Sequence, residues 1–461
     1  MKKYIVFSLI LIPALIFGQT LEDAVRYSKS TYYSTARTMG VGGAFGAMGG
    51  DFGAISYNPA ALGNYWRSEF NVSFGFNNGN SKTDFGKKNK TYSDSKFSFE
   101  NIGFVTNSHR KSNGWKSMSF AIGMNKIANF NSTVNASGSN PGSVIEDSRL
   151  VSGVDYSPWE DVLIDKDLSI YESGGINELL FALGGNYDKK FIFGVSVGIP
   201  FLNFYTTREY NEKAPAELQE DDDFYFRSLT YQEDYTTVGV GLNVKAGIVY
   251  ILPQDFRIGF AMHSPTSYSL KDNYDIKFNV DSRNYDFDPL DNSGYFNYKF
   301  KTPWKFIFST GKLFRSGDMA GFVNFDAEYV NYTSARYNFR RSSDDPYDLE
   351  NEKIQNEKIR EDLKSAFNFR IGSELAYKAY RFRAGAGLLD TPFSDGGYQA
   401  DITYSLGFGY RSNNYYVDFA FLGTNNSYSY FPYIAEQTER SPSVDITKHN
   451  NKFTITTGFK F

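Results

Sequence analysis

Few side chains in this sequence are equipped for bond-making chemistry. Histidine occurs at three positions, His109, His263 and His449; Ser108 precedes the first and Ser264 follows the second. Acyl transfer needs serine, histidine and an orienting acid brought together. His263 instead falls on the polar face of an alternating stretch, so no enzyme is expected. Cysteine is absent, which removes disulfides and thiolate metal sites; no cofactor and no metal are expected. The tract 36–51 is dense in glycine, with Gly40, Gly42, Gly43 and Gly46 close together, and invites comparison with a phosphate-cradling loop. Its glycines miss the G-x-G-x-x-G spacing and no Gly-Lys-Ser/Thr follows. The reading that remains is a compact plug, whose small residues allow tight turns and close backbone approach.

Charge at alternate positions is the other feature with chemical content. Glu69, Asn125, Lys245, Arg257, Asn324, Asp326, Glu328, Arg370, Glu374, Arg381, Arg383 and Asp401 share the polar faces of their segments. Such groups are costly away from water unless paired. They are expected to face water, or one another, across a lumen.

The elements that would position them alternate with period two. At the C-terminus Phe453, Ile455, Thr457, Phe459 and Phe461 share one face, against Thr454, Thr456, Gly458 and Lys460. A strand greasy on one side and small or polar on the other separates two environments. The same pattern marks 67–78, 92–107, 115–129, 177–188, 191–204, 236–252, 255–281, 294–313, 318–339, 364–378, 380–390, 398–411, 414–430 and 449–461. The linkers run long and short in succession. Short ones fall at 188–190, 252–255, 378–379 and 412–413; long ones cover 79–91, 130–176, 205–235, 282–293, 340–363, 391–397 and 431–448, with 346–364 partly helical. That succession, with an even strand count, is the asymmetry of an outer-membrane barrel. The fold expected is all-β: a transmembrane antiparallel β-barrel of about 14 strands.

Composition agrees. Aromatics make up 18% of 461 residues, with 43 Phe and 35 Tyr, yet mean hydropathy is −0.43. Aromatic girdles on alternating strands combine those two properties; membrane-spanning helices do not. A formal net charge of −4 with scattered Lys and Arg gives no nucleic-acid footprint. At the N-terminus a basic Met1-Lys-Lys head precedes an apolar run from Tyr4 to Phe17, then Gly18 and Gln19. This reads as a secretory signal peptide cleaved near Gly18/Gln19, an uncleaved anchor being the alternative. Three units are expected: signal peptide 1–18, plug 19–64, with a short helix near 20–30, and barrel 65–461.

The signal peptide, the Gly/Ala tract ending Asn58-Pro59-Ala60-Ala61-Leu62-Gly63, and the strands after it together resemble the FadL/TodX family. These are outer-membrane transporters of long-chain fatty acids and other hydrophobic compounds. The stretch from Arg257 to His263-Ser264-Pro265 is similar to that family's mid-barrel strand. Arg381-Phe-Arg383-Ala-Gly385 with Asp390-Thr391-Pro392-Phe393 is similar to its late strand and loop. The resemblance implies a hatch around Gly40, Gly42, Gly43, Gly46, Asn58, Pro59 and Ala60. It implies a side opening at the third strand, 115–129, with Gly123 or Asn125 as the break. The loop 130–176, with Trp159, Val162, Leu163 and Ile164 near Asp161, would offer an external capture groove, and Arg257, Arg381 or Arg383 a contact for a carboxylate head group. The partners implied are a hydrophobic small molecule and outer-membrane lipid, the location is the bacterial outer membrane, and a monomer is expected. A general diffusion porin and a structural or adhesive barrel are the competing readings; the plug-like segment speaks against the porin.

Overall fold

The computed structural model describes residues 3–4, 19–86, 88–109, 114–141, 143, 162–219, 226–283, 285–286, 289–339, 345–394, 396–432 and 442–461. The expected signal peptide lies outside these but for Lys3 and Tyr4, as do Trp159 and Asp161.

Among the described residues, fourteen antiparallel strands close on themselves. They are β1 (Glu69–Phe85), β2 (Lys88–His109), β3 (Trp115–Asn129 and Ser132–Pro141), β4 (Leu163–Tyr187), β5 (Phe191–Lys213), β6 (Phe226–Ile251) and β7 (Phe256–His263 and Ser267–Ser282). Then follow β8 (Leu290–Lys301 and Lys305–Ser316), β9 (Met319–Asn331 and Arg336–Asn338), β10 (Ser365–Tyr377), β11 (Tyr380–Leu389), β12 (Asp401–Arg411), β13 (Tyr415–Tyr430) and β14 (Val444–Lys460). The ring shuts where β1 pairs with β14, from Glu69 opposite Lys460 to Asp84 opposite Asp445. The last residue is held there too: the Phe461 amide donates to the Ser68 carbonyl, and its ring stacks on Phe104.

The alternation explains the closure. Phe453, Ile455 and Phe459 are exposed on the outer wall, while Thr454 and Thr456 are buried inside. Every backbone amide of a strand in lipid must be paired within the protein, which a closed ring achieves and an open sheet does not. Short turns join the strands at the end that carries Glu69 and Lys460. At one of them Asp188 and Lys189 take φ of 53° and 58°, the left-handed pair that a tight hairpin needs. Barrels of this class keep their short turns on the periplasmic side.

Strands β1 to β6 and β14 are longer than the alternation predicts, and the expected loops between them are correspondingly shorter, whereas β7 to β13 keep the expected bounds to within a few residues. The expected loop 79–91 is the top of β1 and β2 around Gly86, and much of 130–176 and 205–235 is strand. On β14, Phe453 and Ile455 point outward, but Val444 and Ile446 point inward. Above the lipid the outer wall meets water, so the apolar face switches to the inside. A pattern read with its apolar set on one side loses phase at that boundary.

Three packed layers fill the interior. At the outer end Phe85, Val134, Ile164, Leu168, Phe278, Val280 and Ile446 form an apolar throat. Below it helix α1 (Leu21–Ser28) packs Val25 and Tyr27 against Phe204, Tyr235, Tyr298 and Tyr337. At the periplasmic end Phe45, Met48, Phe52, Ile55 and Leu62 meet Val105, Leu180 and Phe322 of the wall. The expectation of a wet lumen is thus corrected: its outer third is apolar and its periplasmic end is occupied. Helix α4 (Pro346–Asp362), close to the helical stretch expected at 346–364, buries Ile359 in the middle layer from outside.

Candidate functional site

The N-terminal segment folds in short, self-capped pieces. Thr20 and Asp23 cap α1 reciprocally, as Thr35 and Thr38 do for α2 (Ala36–Gly40), and Asp51 caps α3 (Phe52–Ile55). Such boxes satisfy amide groups that a short helix leaves open. Burial lifts the Asp23 carboxyl to about 6, against the pull of Arg26 beside it. Asn58 does two jobs: its Oδ1 accepts from the Ala60 amide at 3.0 Å, and its Nδ2 donates to the Gly46 carbonyl at 2.7 Å. Pro59 then opens a 3-10 turn, Pro59–Asn64, where its missing N–H costs nothing.

This segment sits in a wall cut to receive it. A side chain at Gly385 would overlap the backbone of Val41 and Gly42, and one at Gly194 the carbonyl of Pro59. Gly407 lies against Gly40, Gly247 against Asn58, and Gly103 and Gly123 flank the ring of Phe52. Ala60 is buried with Ile192 and Val249 of the wall. The residues expected to form a hatch are therefore brought together in one interface.

The lumenal charges grip the same segment. Asp326 Oδ2 accepts from the amides of Phe45 at 2.9 Å and Gly46 at 3.2 Å. Glu374 takes Arg37 in a fork, both contacts 2.9 Å, the geometry that makes such pairs specific. Asn125 Nδ2 donates to Ser56 Oγ at 2.8 Å, and Ser56 donates to Glu178. Lys245 meets Glu178 at 2.5 Å with both side chains buried. His263 contacts the Tyr57 carbonyl through Nε2 at 2.8 Å. Removing one partner of a buried pair strands the other charge, so Lys245→Met is expected to cost about 3–5 kcal/mol of stability. Urea unfolding followed by gel mobility of the folded barrel measures it; an unchanged midpoint would dismiss the pair as an anchor.

The three arginines read as head-group contacts are placed as follows. Arg257 Nη1 donates to the Met48 carbonyl at 2.9 Å. Arg383 lies between Glu374, 2.7 Å, and Asp418, 2.8 Å. Arg381 donates to the carbonyls of Lys378 and Tyr380 at the periplasmic turn. All three guanidinium groups already bind protein atoms.

The wall itself is interrupted. From His109 opposite Ser117 to Asn101 opposite Asn125, β2 and β3 form a regular ladder, with Gly123 opposite Gly103. The ladder ends at Asn125. Register slips between Lys126 and Ala128, and β3 breaks at Phe130 and Asn131. Beyond, Ser132–Pro141 pairs with β4 alone and passes inside β1, where Ser81 and Thr83 donate to the carbonyls of Thr133 and Asn135 at 2.7 and 2.8 Å. The stretch 88–100 of β2 consequently has no ladder on that side. Side chains bridge the gap: Lys96 Nζ donates to Tyr171 Oη at 2.8 Å, and Lys90 lies 3.8 Å from Asp167. Gly123 is thus continuous ladder that accepts Phe52, while Asn125 marks where pairing stops.

Two cavities flank the displaced strand. On its outer side a space of about 400 Å³ is lined by Lys90, Tyr92, Asn135, Asp167 and Glu209. On its lumenal side a pocket of about 230 Å³ is lined by Asn77, Asn129, Asn131, Lys448, Asn451 and Lys452, with Tyr33 of the N-terminal segment. Lys452 is paired with Glu100 at 2.6 Å. Lys448 donates to Ser132 at 2.7 Å and makes no carboxylate contact within 4 Å among the described residues, Glu172 acting on it from farther off. Sequence reasoning missed this pocket because its residues fall at the boundary where strands were expected to give way to loops.

No family model matches the sequence, and no curated protein matches it. Solved structures match it by fold. A Pseudomonas aeruginosa FadL homologue is 12% identical, with 94% of this chain and 98% of that chain covered and a TM-score of 0.58. The Pseudomonas putida toluene transporter TodX is 11% identical, covering 93% and 98%, with a TM-score of 0.53. The Ralstonia pickettii toluene transporter TbuX is 15% identical over the same shares, with a TM-score of 0.50. The likeness is one of fold: this chain has the barrel of the FadL and TodX structures.

Proposed function

We propose that this barrel takes up hydrophobic compounds across the bacterial outer membrane and releases them sideways, through the gap between β2 and β4, into the outer leaflet. The observation that carries the reading is the interrupted wall. A channel that passes solutes along its axis gains nothing from a strand folded inward, whereas an apolar cargo leaving toward lipid needs a side exit. The solved structures of like fold include transporters of toluene, which supports an apolar cargo. The packed apolar layer of Phe85, Ile164, Phe278 and Ile446 at the outer end suits an apolar cargo, since each buried methylene contributes about 0.8 kcal/mol. Residues 36–63 act as a hatch against axial leakage, which speaks against a diffusion porin.

The pocket beside the exit favours an amphiphile over a bare hydrocarbon. Amide groups and Lys448 suit a carboxylate head group, while the tail is shielded above. A long-chain fatty acid fits this division. In cells lacking their own fatty-acid uptake, the barrel is expected to import a labelled long-chain acid and to prefer it to the alkane of equal length. Lys448→Gln should raise the half-saturating concentration about tenfold, the weight of one charged hydrogen bond. Equal uptake of acid and alkane, unaffected by this change, would leave apolar transport standing and remove the acid.

A further inference from the structure

The outer wall of β7 to β9 carries a cation cluster that the uptake path does not use. We infer that it is a docking site for a phosphorylated glycolipid of the outer leaflet.

Position comes first. Strand β7 breaks at 264–266 around Pro265, and β8 breaks at 302–304 around Pro303. Below the breaks the outward residues are apolar and exposed: Phe260, Met262, Trp304, Phe306 and Phe308. Above them the outward set becomes Ser269, Lys271, Asn297, Lys299 and Lys301. On the adjacent strand β6, Val240 opposite Ser269 and Val238 opposite Lys271 are still apolar and exposed, so the polar set begins at the edge of the apolar band. Trp304, stacked on Phe306, sits at that boundary, as interfacial tryptophan does.

Charge comes second. In register, Lys301 lies opposite Arg336, Lys299 opposite Asn338 on one side and Ser269 on the other, and Lys271 opposite Asn297. Directly opposed residues are about 5 Å apart and diagonal ones about 7–8 Å, and like charges so placed destabilise a sheet. Neighbouring cations on the same rim have carboxylates: Lys277 with Asp275 at 3.7 Å, Arg227 with Asp281 at 3.9 Å, Lys88 with Asp165 at 3.8 Å. Among the described residues, Lys271, Lys299, Lys301 and Arg336 have none. Arg336 is fixed by its own bonds to the carbonyls of Thr333 and Ala335, and Lys271 lies over the Tyr295 ring at 4.8 Å. A multivalent anion at this depth would neutralise the cluster. Phosphate does so with several acceptor oxygens, and the apolar floor directly below would receive acyl chains. A free phosphate ion has no use for that floor.

The test uses the intact barrel in detergent, with retained lipid counted by native mass spectrometry. A glycolipid bearing two phosphates is expected to bind one per barrel, and its dephosphorylated form at least tenfold more weakly. The combined variant Lys271→Gln, Lys299→Gln, Lys301→Gln should weaken binding about a hundredfold, from roughly fivefold for each basic side chain near an anionic surface. The three-arginine equivalent should bind as the unaltered protein does, and Lys88→Gln with Lys277→Gln should change nothing, which separates the cluster from general rim charge. Gel mobility of the folded barrel confirms that each variant is intact. Equal binding of the two lipid forms, equal binding by the glutamine variant, or displacement of the lipid by millimolar inorganic phosphate alone would overturn the inference. None of these outcomes bears on uptake.

Discussion

Joining the two banks of the wall gap is expected to abolish uptake of hydrophobic compounds while leaving the barrel folded and closed to ions. Lys96 on β2 and Tyr171 on β4 face each other across the gap, their polar ends 2.8 Å apart. The sequence holds no cysteine, so replacing both by cysteine and treating with a short bis-maleimide places one covalent bridge in the protein. The stretch 88–100 has no ladder on its β3 side, so the bridge disturbs no backbone pairing. Side-chain contacts such as Lys96 with Tyr171 and Lys90 with Asp167 are partly exposed, and exposed pairs contribute only about 0.2–1 kcal/mol each. They can therefore part for a passing ligand, and a covalent bridge cannot. Either cysteine treated alone is the control. Full uptake by the bridged barrel would show that cargo leaves by another route.

Much of this arrangement was legible in the sequence, and the reasons it stopped are physical. Alternation located all fourteen strands because each crosses lipid, where one face must be apolar and the other need not be. The outer ends of β1 to β6 and β14 were missed because the apolar face changes sides above the lipid, as Ile455 and Ile446 do on β14. Asn58-Pro59-Ala60 pointed to a packed turn, since Asn caps and Pro fits a first helical position. Where it packs depends on Gly194 and Gly247, distant in sequence and unremarkable in their own strands. Gly123 drew attention as a strand breaker, but an absent Cβ serves equally to admit a ring, and Phe52 takes that space. The break follows at Phe130 and Asn131, where the expected strand 115–129 ends; what was not legible is that the chain resumes as strand inside the wall, held by Ser81 and Thr83. The charges gave only their side of the wall. Whether they met water or the N-terminal segment depended on atoms more than two hundred residues away, as with Asp326 and the Gly46 amide.

A single wall glycine should hold the hatch in place, and enlarging it should turn a silent barrel into a pore. Gly194 and Gly385 are the sharpest cases, because a Cβ at either would overlap backbone of the N-terminal segment rather than a side chain able to swing aside. Overpacking in a core that can relax costs about 1–3 kcal/mol. Here the wall is fixed by ladders on both sides, Gly194 opposite Gly184 and Gly247, so relaxation falls to the segment. Gly194→Leu lifts the turn beginning at Pro59; Gly385→Leu lifts the stretch at Val41 and Gly42; together they release both ends of the packed interface. In planar bilayers the intact protein is expected to show little or no ion current, each single variant flickering openings, and the double variant a steady pore. Small polar solutes should then leak, and saturable uptake should be lost. Deleting 36–63 should give the same current by a route that also removes Arg37 and so frees Glu374 and Asp326 in the wall. Agreement between deletion and glycine variants separates loss of the hatch from loss of those contacts. A large current through the intact barrel would mean that residues 36–63 do not seal it, whatever the variants do.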